Sequence, residues 1–200
     1  MRNKRFCLTV IALLVLALPG EARDTNAEKK YVCDGGMMLH TGFLSGNIEP
    51  LAYSASGMPF GVGGVLHYHS GGHFRIGAEG YVSTLKQMDN GSYIKYGWGG
   101  ILGDFRWPVG RFAPYVGLTA GGGANTDLLM LEAPSSEWEQ IGESYYRHKG
   151  FFFVDPFIGC DYALTQVIHL TLKVDFMAPV GTDLQMPLGP RIYLGILFFH

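Results

Sequence analysis

Residues 167–178 read Val-Ile-His-Leu-Thr-Leu-Lys-Val-Asp-Phe-Met-Ala, and their alternation limits the possible folds more than any other stretch. Ile168, Leu170, Leu172, Val174 and Phe176 share one parity, while His169, Thr171, Lys173 and Asp175 hold the other. Successive side chains of a strand point to opposite faces, so the segment predicts a strand with one apolar and one polar face. A soluble sheet would place the polar face in water. A membrane barrel would place the apolar face in lipid and the polar face in its lumen.

Composition favours many such strands. Charged residues make up 16% of the chain, against roughly 25% in ordinary globular proteins. Glycine, at 29 of 200 residues, is about twice as frequent as usual. After the N-terminus no run approaches the ~18 apolar residues of a membrane helix, so the apolar content is spread over alternating segments. The net charge of −2, with no basic patch interleaved with aromatics, gives no reason to expect a nucleic-acid partner.

The first residues have another purpose. Arg2, Lys4 and Arg5 precede an apolar run over 6–18, followed by Pro19, Gly20 and the small Ala22. This is the pattern of a secretory signal peptide over 1–22, cleaved after Ala22. Residues 23–34 read as a leader and 35–200 as the folded domain. Cys7 leaves with the signal. Cys33 and Cys160 then stand in a disulfide-permissive compartment, as one bridge or two free thiols.

Eight strands are expected, over 36–46, 60–69, 73–85, 92–106, 111–122, 151–164, 167–178 and 191–200. Ser70-Gly71-Gly72 and Asp89-Asn90-Gly91 mark turns. In order, the connections are long, short, medium, short, very long, short and long. One rim is therefore trimmed and the other elaborated, as in outer-membrane barrels with short periplasmic turns. Aromatics fall into two girdles: Tyr68, Phe74, Trp107, Phe112, Tyr162 and Phe198 on the periplasmic side, and Phe43, Tyr96, Phe152 and Phe176 on the outer side. Arg75, Glu79, Lys95, Asp155, Asp161, Lys173 and Asp175 are assigned to the inward parity, with His169 beside them. A cation facing lipid at mid-depth costs about 2–4 kcal/mol, enough to enforce this pattern. The predicted fold is an all-β, eight-stranded, antiparallel up-and-down transmembrane barrel whose lumen is plugged by paired charges.

The signal peptide, the short alternating strands, the girdles and the ending Tyr193-Leu194-Gly195-Ile196-Leu197-Phe198-Phe199-His200 resemble the small outer-membrane barrels of the OmpA/OmpX type. One departure is that His200 follows the aromatic residue on which the family's assembly signal usually ends. The resemblance implies a location in the outer membrane of a Gram-negative-type bacterium. It also implies contact with outer-membrane lipid and lipopolysaccharide, and with the barrel assembly machinery. Its expected role is structural or surface-interactive, without enzymatic activity or a cofactor.

Candidate sites are few. His67, His69 and His73 have spacings that zinc or copper would accept, yet no cysteine or carboxylate completes a set in sequence. Their plainer reading is membership of the lumen network. Lipid A deacylases, also small barrels, carry His-x-Ser on one strand. Here His69 and Ser70 are adjacent and so face opposite ways, with Glu79 inward, which misses the nucleophile–base geometry. Asp161 and His169 are a second candidate acid–base pair, with a buried ion pair as the plainer alternative. The segment 123–150, with Trp138, Tyr145 and Tyr146 among glutamates, is the candidate interaction loop or a cover over the mouth. A remaining alternative is a soluble lipocalin-like barrel with its apolar parity turned inward around a small hydrophobic ligand.

Overall fold

The computed structural model describes residues 32–48, 53–70, 73–86, 92–130, 144–181 and 186–200. The expected signal peptide over 1–22, most of the expected leader and Trp138 lie outside them. Eleven strands follow in order: β1 (Cys33–Gly42), β2 (Leu44–Ile48), β3 (Tyr53–Gly57), β4 (Phe60–His69), β5 (Phe74–Lys86), β6 (Tyr93–Arg106), β7 (Phe112–Met130), β8 (Ser144–Ala163), β9 (Ile168–Phe176), β10 (Ala178–Val180) and β11 (Pro190–Phe199).

Eight of them, β1, β4, β5, β6, β7, β8, β9 and β11, pair antiparallel with their neighbours. The ring closes where β11 lies between β9 and β1, from Asp34↔Phe199 to Gly42↔Arg191. Val32 N donates to His200 O at 2.9 Å at the foot of this seam. A closed ring leaves no unpaired sheet edge. Both ends of the described chain share a rim with the short connections after β4, β6 and β8. The longer connections form the opposite rim.

The elaborated rim is more ordered than the sequence suggests. β2 and β3 form a hairpin inside the expected loop after β1, and Ser45 bridges to Leu188. β7 and β8 continue pairing as far as Met130↔Ser144, so residues 123–130 and 144–150 are strand. Tyr145 and Tyr146 accordingly sit in β8, with Tyr146 exposed. β1 begins at Cys33, which brings Asp34 out of the expected leader and into the barrel.

The two faces of the wall are chemical opposites. Met37 (69% exposed), Ile101 (69%) and Phe152 (75%) face outward with Leu66, Leu172 and Leu194, while Arg75 (1%) and Lys173 (3%) are enclosed. This is the reverse of a lipocalin-like interior. Lys95 corrects the assignment of inward charges, because it is exposed and faces outward. Ile94, Tyr96, Trp98 and Leu102 are buried instead, which removes Tyr96 from the outer girdle. Asp104 and Arg106 share the parity of Ile94 and belong to the interior network. That charge pattern was the available clue to the true facing of β6.

Inward glycines make room for the rings. A Cβ on Gly159 would lie 2.2 Å from Cζ of Tyr115, and one on Gly61 would lie 2.1 Å from Cε1 of His40. Glycine on one strand thus admits a large side chain from the next, and the interior fills without widening the ring.

Candidate functional site

Alternation along eight strands aims their polar residues at a common axis, where they assemble in tiers. The tier nearest the short turns centres on Arg75. Its Nε donates to Asp104 Oδ1 at 2.8 Å and its Nη1 to Asp161 Oδ2 at 3.0 Å. Asp34 Oδ2 is 3.5 Å from the same Nη1. Asp34 also holds two histidines: His67 Nδ1 lies 2.7 Å from Oδ1, and His69 Nε2 lies 2.6 Å from Oδ2. Arg106 Nε is 3.4 Å from Asp161 Oδ2. Three enclosed carboxylates thus meet two guanidinium groups and two imidazoles, which supplies the partners that buried charges require.

The middle tier is a single ion pair. Lys173 Nζ donates to both Glu79 oxygens, at 2.8 and 2.6 Å. Thr119 donates to Glu79 Oε1 at 2.6 Å and Tyr81 to Oε2 at 3.1 Å. The ammonium also lies 4.4 Å from the ring centroid of Phe157, close enough for cation–π attraction. In the next tier Arg191 bridges Asp175 Oδ1, at 2.7 Å from Nε, and Asp155 Oδ2, at 2.8 Å from Nη2. Its guanidinium stands 4.7 Å from the centroid of Trp98. Arg147 and Asp127 pair at 2.6 Å towards the long-loop rim.

Between these tiers the interior is aromatic. His40 is enclosed by Tyr81, Trp98 and Tyr193, with ring centroids 5.5, 5.2 and 4.9 Å away. A cavity of about 10 Å³ opens beside Tyr96, Trp98, Met177 and Met186, enough for about one water molecule.

The structure brings Arg75, Glu79, Asp155, Asp161, Lys173 and Asp175 into these tiers. His169 is buried among them, stacked on Phe199 at 3.9 Å between centroids. Asp34, Asp104, Arg106 and Arg191 are members that the sequence reading missed. Among the described residues, no group of three histidine, cysteine, aspartate or glutamate side chains is arranged to hold a metal ion. His67 and His69 are occupied by Asp34, whereas His73 lies outside and stacks on Phe105 at 5.6 Å. Cys33 and Cys160 are free thiols.

Neither candidate catalytic set is assembled. His69 turns to Asp34, Glu79 is held by Lys173, and Ser70 lies beyond the end of β4. Asp161 takes Arg75 and Arg106 rather than His169. What remains chemically is a core of paired charges within an apolar outer surface, with buried oxygens such as Asp155 Oδ1, Asp161 Oδ1 and Asp175 Oδ2 making no hydrogen bond among the described residues.

No known protein-family model matches the chain, and no curated protein sequence is significantly similar to it. Solved structures are similar in shape. The crystal structure of Neisserial surface protein A superposes with a TM-score of 0.59 at 11% identity, covering 84% of this chain and 97% of that one. The attachment invasion locus protein Ail of Yersinia pestis, in complex with the heparin analogue sucrose octasulfate, gives 0.51 at 9% identity, covering 84% and 99%. With its closed ring of eight antiparallel strands, the chain has the fold of the small eight-stranded outer-membrane β-barrels.

Proposed function

We propose that this chain is an integral protein of a bacterial outer membrane, non-enzymatic, with a plugged lumen and a structural or surface-interaction role at its long-loop rim. The inverted surface carries the reading. Large apolar side chains such as Met37, Phe152 and Ile101 cover the outside, and every described Asp and Glu is buried inside. In water that outer surface would be a severe aggregation hazard, whereas in a bilayer it is a solvated face. The described aromatics of the two girdles other than Tyr96 are turned outward or partly exposed, at the depth where rings favour headgroups. The tiers support a plugged lumen, since paired side chains lie along the axis from Arg75 through Lys173 to Arg191.

A role at the long-loop rim is supported by the hairpin β2–β3, a separate two-stranded sheet, and by the β7–β8 arm, which both add paired strand on that side. One of the similar folds is named as a surface protein and another as an attachment protein crystallised with a heparin analogue, consistent with such a role. The test is membrane fractionation followed by gel mobility of unheated and heated samples. Recovery with the outer membrane, with faster migration before heating than after, is expected. Recovery as a soluble periplasmic protein would overturn the reading.

A further inference from the structure

The long-loop mouth of the barrel gathers unmet hydrogen-bonding capacity in one place. The small cavity beside Tyr96 and Trp98, taken with the space through which it opens to solvent, forms a cleft of about 340 Å³. That lies at the lower end of the roughly 300–1,000 Å³ of small-molecule pockets, which favour the mouths of β-barrels. Separate parts of the chain build it. β6 supplies Tyr96 and Trp98, and β8 supplies Phe151. Residues 186–190 run as a strap along the rim: Ser45 N donates to Leu188 O at 3.0 Å, Leu188 N to Ser45 O at 3.1 Å, and Phe43 N to Pro190 O at 3.2 Å. The strap is closely seated, since a Cβ on Gly189 would collide with Phe43 O. It adds Met186 to a lining that also holds Met177.

The unmet groups of this lining are donors. Tyr96 is 3% exposed and Trp98 6%. Neither the phenol oxygen of Tyr96 nor the indole Nε1 of Trp98 has a hydrogen-bond partner among the described residues. A buried donor without an acceptor forfeits the bond it made with water, so native structures rarely leave one so. The indole is held in place rather than free to turn away. Arg191 lies over its ring at 4.7 Å, with His40 and Tyr81 centroids 5.2 and 5.6 Å away. Arg191 also lines the cleft, where its Nη1 meets the Met177 thioether, a weak acceptor, at 3.8 Å. Its charge is already answered by Asp155 and Asp175, so the floor of the cleft offers no net attraction to an anion. The rest of the lining, including Phe151, Met177 and Met186, is mostly apolar.

We infer that this cleft binds a small neutral molecule with an apolar body and one carbonyl-type acceptor. In this site the acceptor takes hydrogen bonds from Tyr96 and Trp98, and the body lies against Phe151, Met177 and Met186. The unpartnered donors select an acceptor, and the already paired Arg191 selects a neutral group over a charged one. A lone water would answer the donors and leave the apolar walls uncovered. The inference goes beyond the proposed function and rests on the barrel fold, not on its location.

The test uses the full chain in phospholipid nanodiscs, with nitrogen-15 in its tryptophans, and three probes of nearly equal shape: acetophenone, isopropylbenzene and benzoate. The Trp98 indole N–H resonance, identified by its loss in Trp98→Phe, should move downfield with acetophenone and saturate. Tyr96→Phe keeps the ring and loses the hydroxyl, and should weaken that binding about fivefold, the equivalent of about 1 kcal/mol. Isopropylbenzene has no acceptor and benzoate brings a charge, so each should bind about tenfold more weakly than acetophenone. Both variants should keep the heat-dependent mobility shift. The absence of a saturable shift with acetophenone would leave the cavity to water and overturn the site, as would equal affinity in Tyr96→Phe. Equal binding of isopropylbenzene would overturn the acceptor, and tighter binding of benzoate the neutral ligand. A native protein that fractionates as soluble yet shows the saturable shift would overturn the outer-membrane reading alone; a heat-modifiable barrel without the shift would overturn the cleft alone.

Discussion

At the scale of the residue, the pairing of Glu79 with Lys173 is the most exacting feature of the interior. Both are nearly fully buried, so removing one partner strands the other without solvent. Lys173→Met should destabilise the barrel by about 3–5 kcal/mol, measured by urea unfolding in vesicles. Glu79→Gln together with Lys173→Met should recover most of that loss, because no uncompensated charge then remains. A single variant as stable as the native protein would show that Glu79 does not depend on Lys173. The same scale shows what sequence could convey. Arg75, Glu79, Lys173 and Asp175 were legible because apolar neighbours on both sides fixed their facing. Lys95 was not, because Tyr93, Ile94 and Tyr96 around it are apolar on both parities, and glycines at 97 and 99 leave its own parity nearly blank. Asp34 was hidden by lying next to a charged leader.

At the scale of the element, each strand fits its neighbour through glycine. Gly159→Ala pushes a methyl group into the ring of Tyr115 and should cost about 1–3 kcal/mol, the usual penalty for overpacking. Gly97→Ala meets only Val82 Cγ1, at 3.8 Å, and should stay within about 0.5 kcal/mol of native stability. The two variants, unfolded side by side in urea, separate the need for space from any general effect of glycine. Equal losses would refute the steric account. The arms at 123–130 and 144–150 were unreadable as strands for a related reason. In the second arm Tyr145 and Tyr146 are followed by Arg147, His148 and Lys149, so neither parity is apolar, and the period-2 signal fades. Where lipid no longer demands one apolar face, sequence no longer advertises the strand.

At the scale of the whole molecule, an inverted surface and an occupied axis lead to one electrical expectation. In planar bilayers the native barrel should carry no steady current, because an eight-stranded ring is only wide enough for the side chains that fill it. A stable ohmic conductance in the native protein would overturn the plugged lumen. The architecture was legible at this scale because it repeats eight times, and errors on single strands average out. The network was only half legible, since alternation says which residues face inward but not which of them meet.

The long span of those meetings bears on how such a chain is assembled. Arg75 finds Asp161 across 86 positions, and Glu79 finds Lys173 across 94. Neither pair can form until β8 and β9 have joined the first strands, and β11 then seals the seam against β1. A half-built barrel can already pair Arg75 with Asp104 across neighbouring strands, but it leaves Glu79 without its lysine and Arg75 without Asp161. Each unanswered charge opposes lingering in that condition, and closure releases all of them nearly together. The ion pairs thus act as a completion signal, favouring the finished cylinder over every partial one.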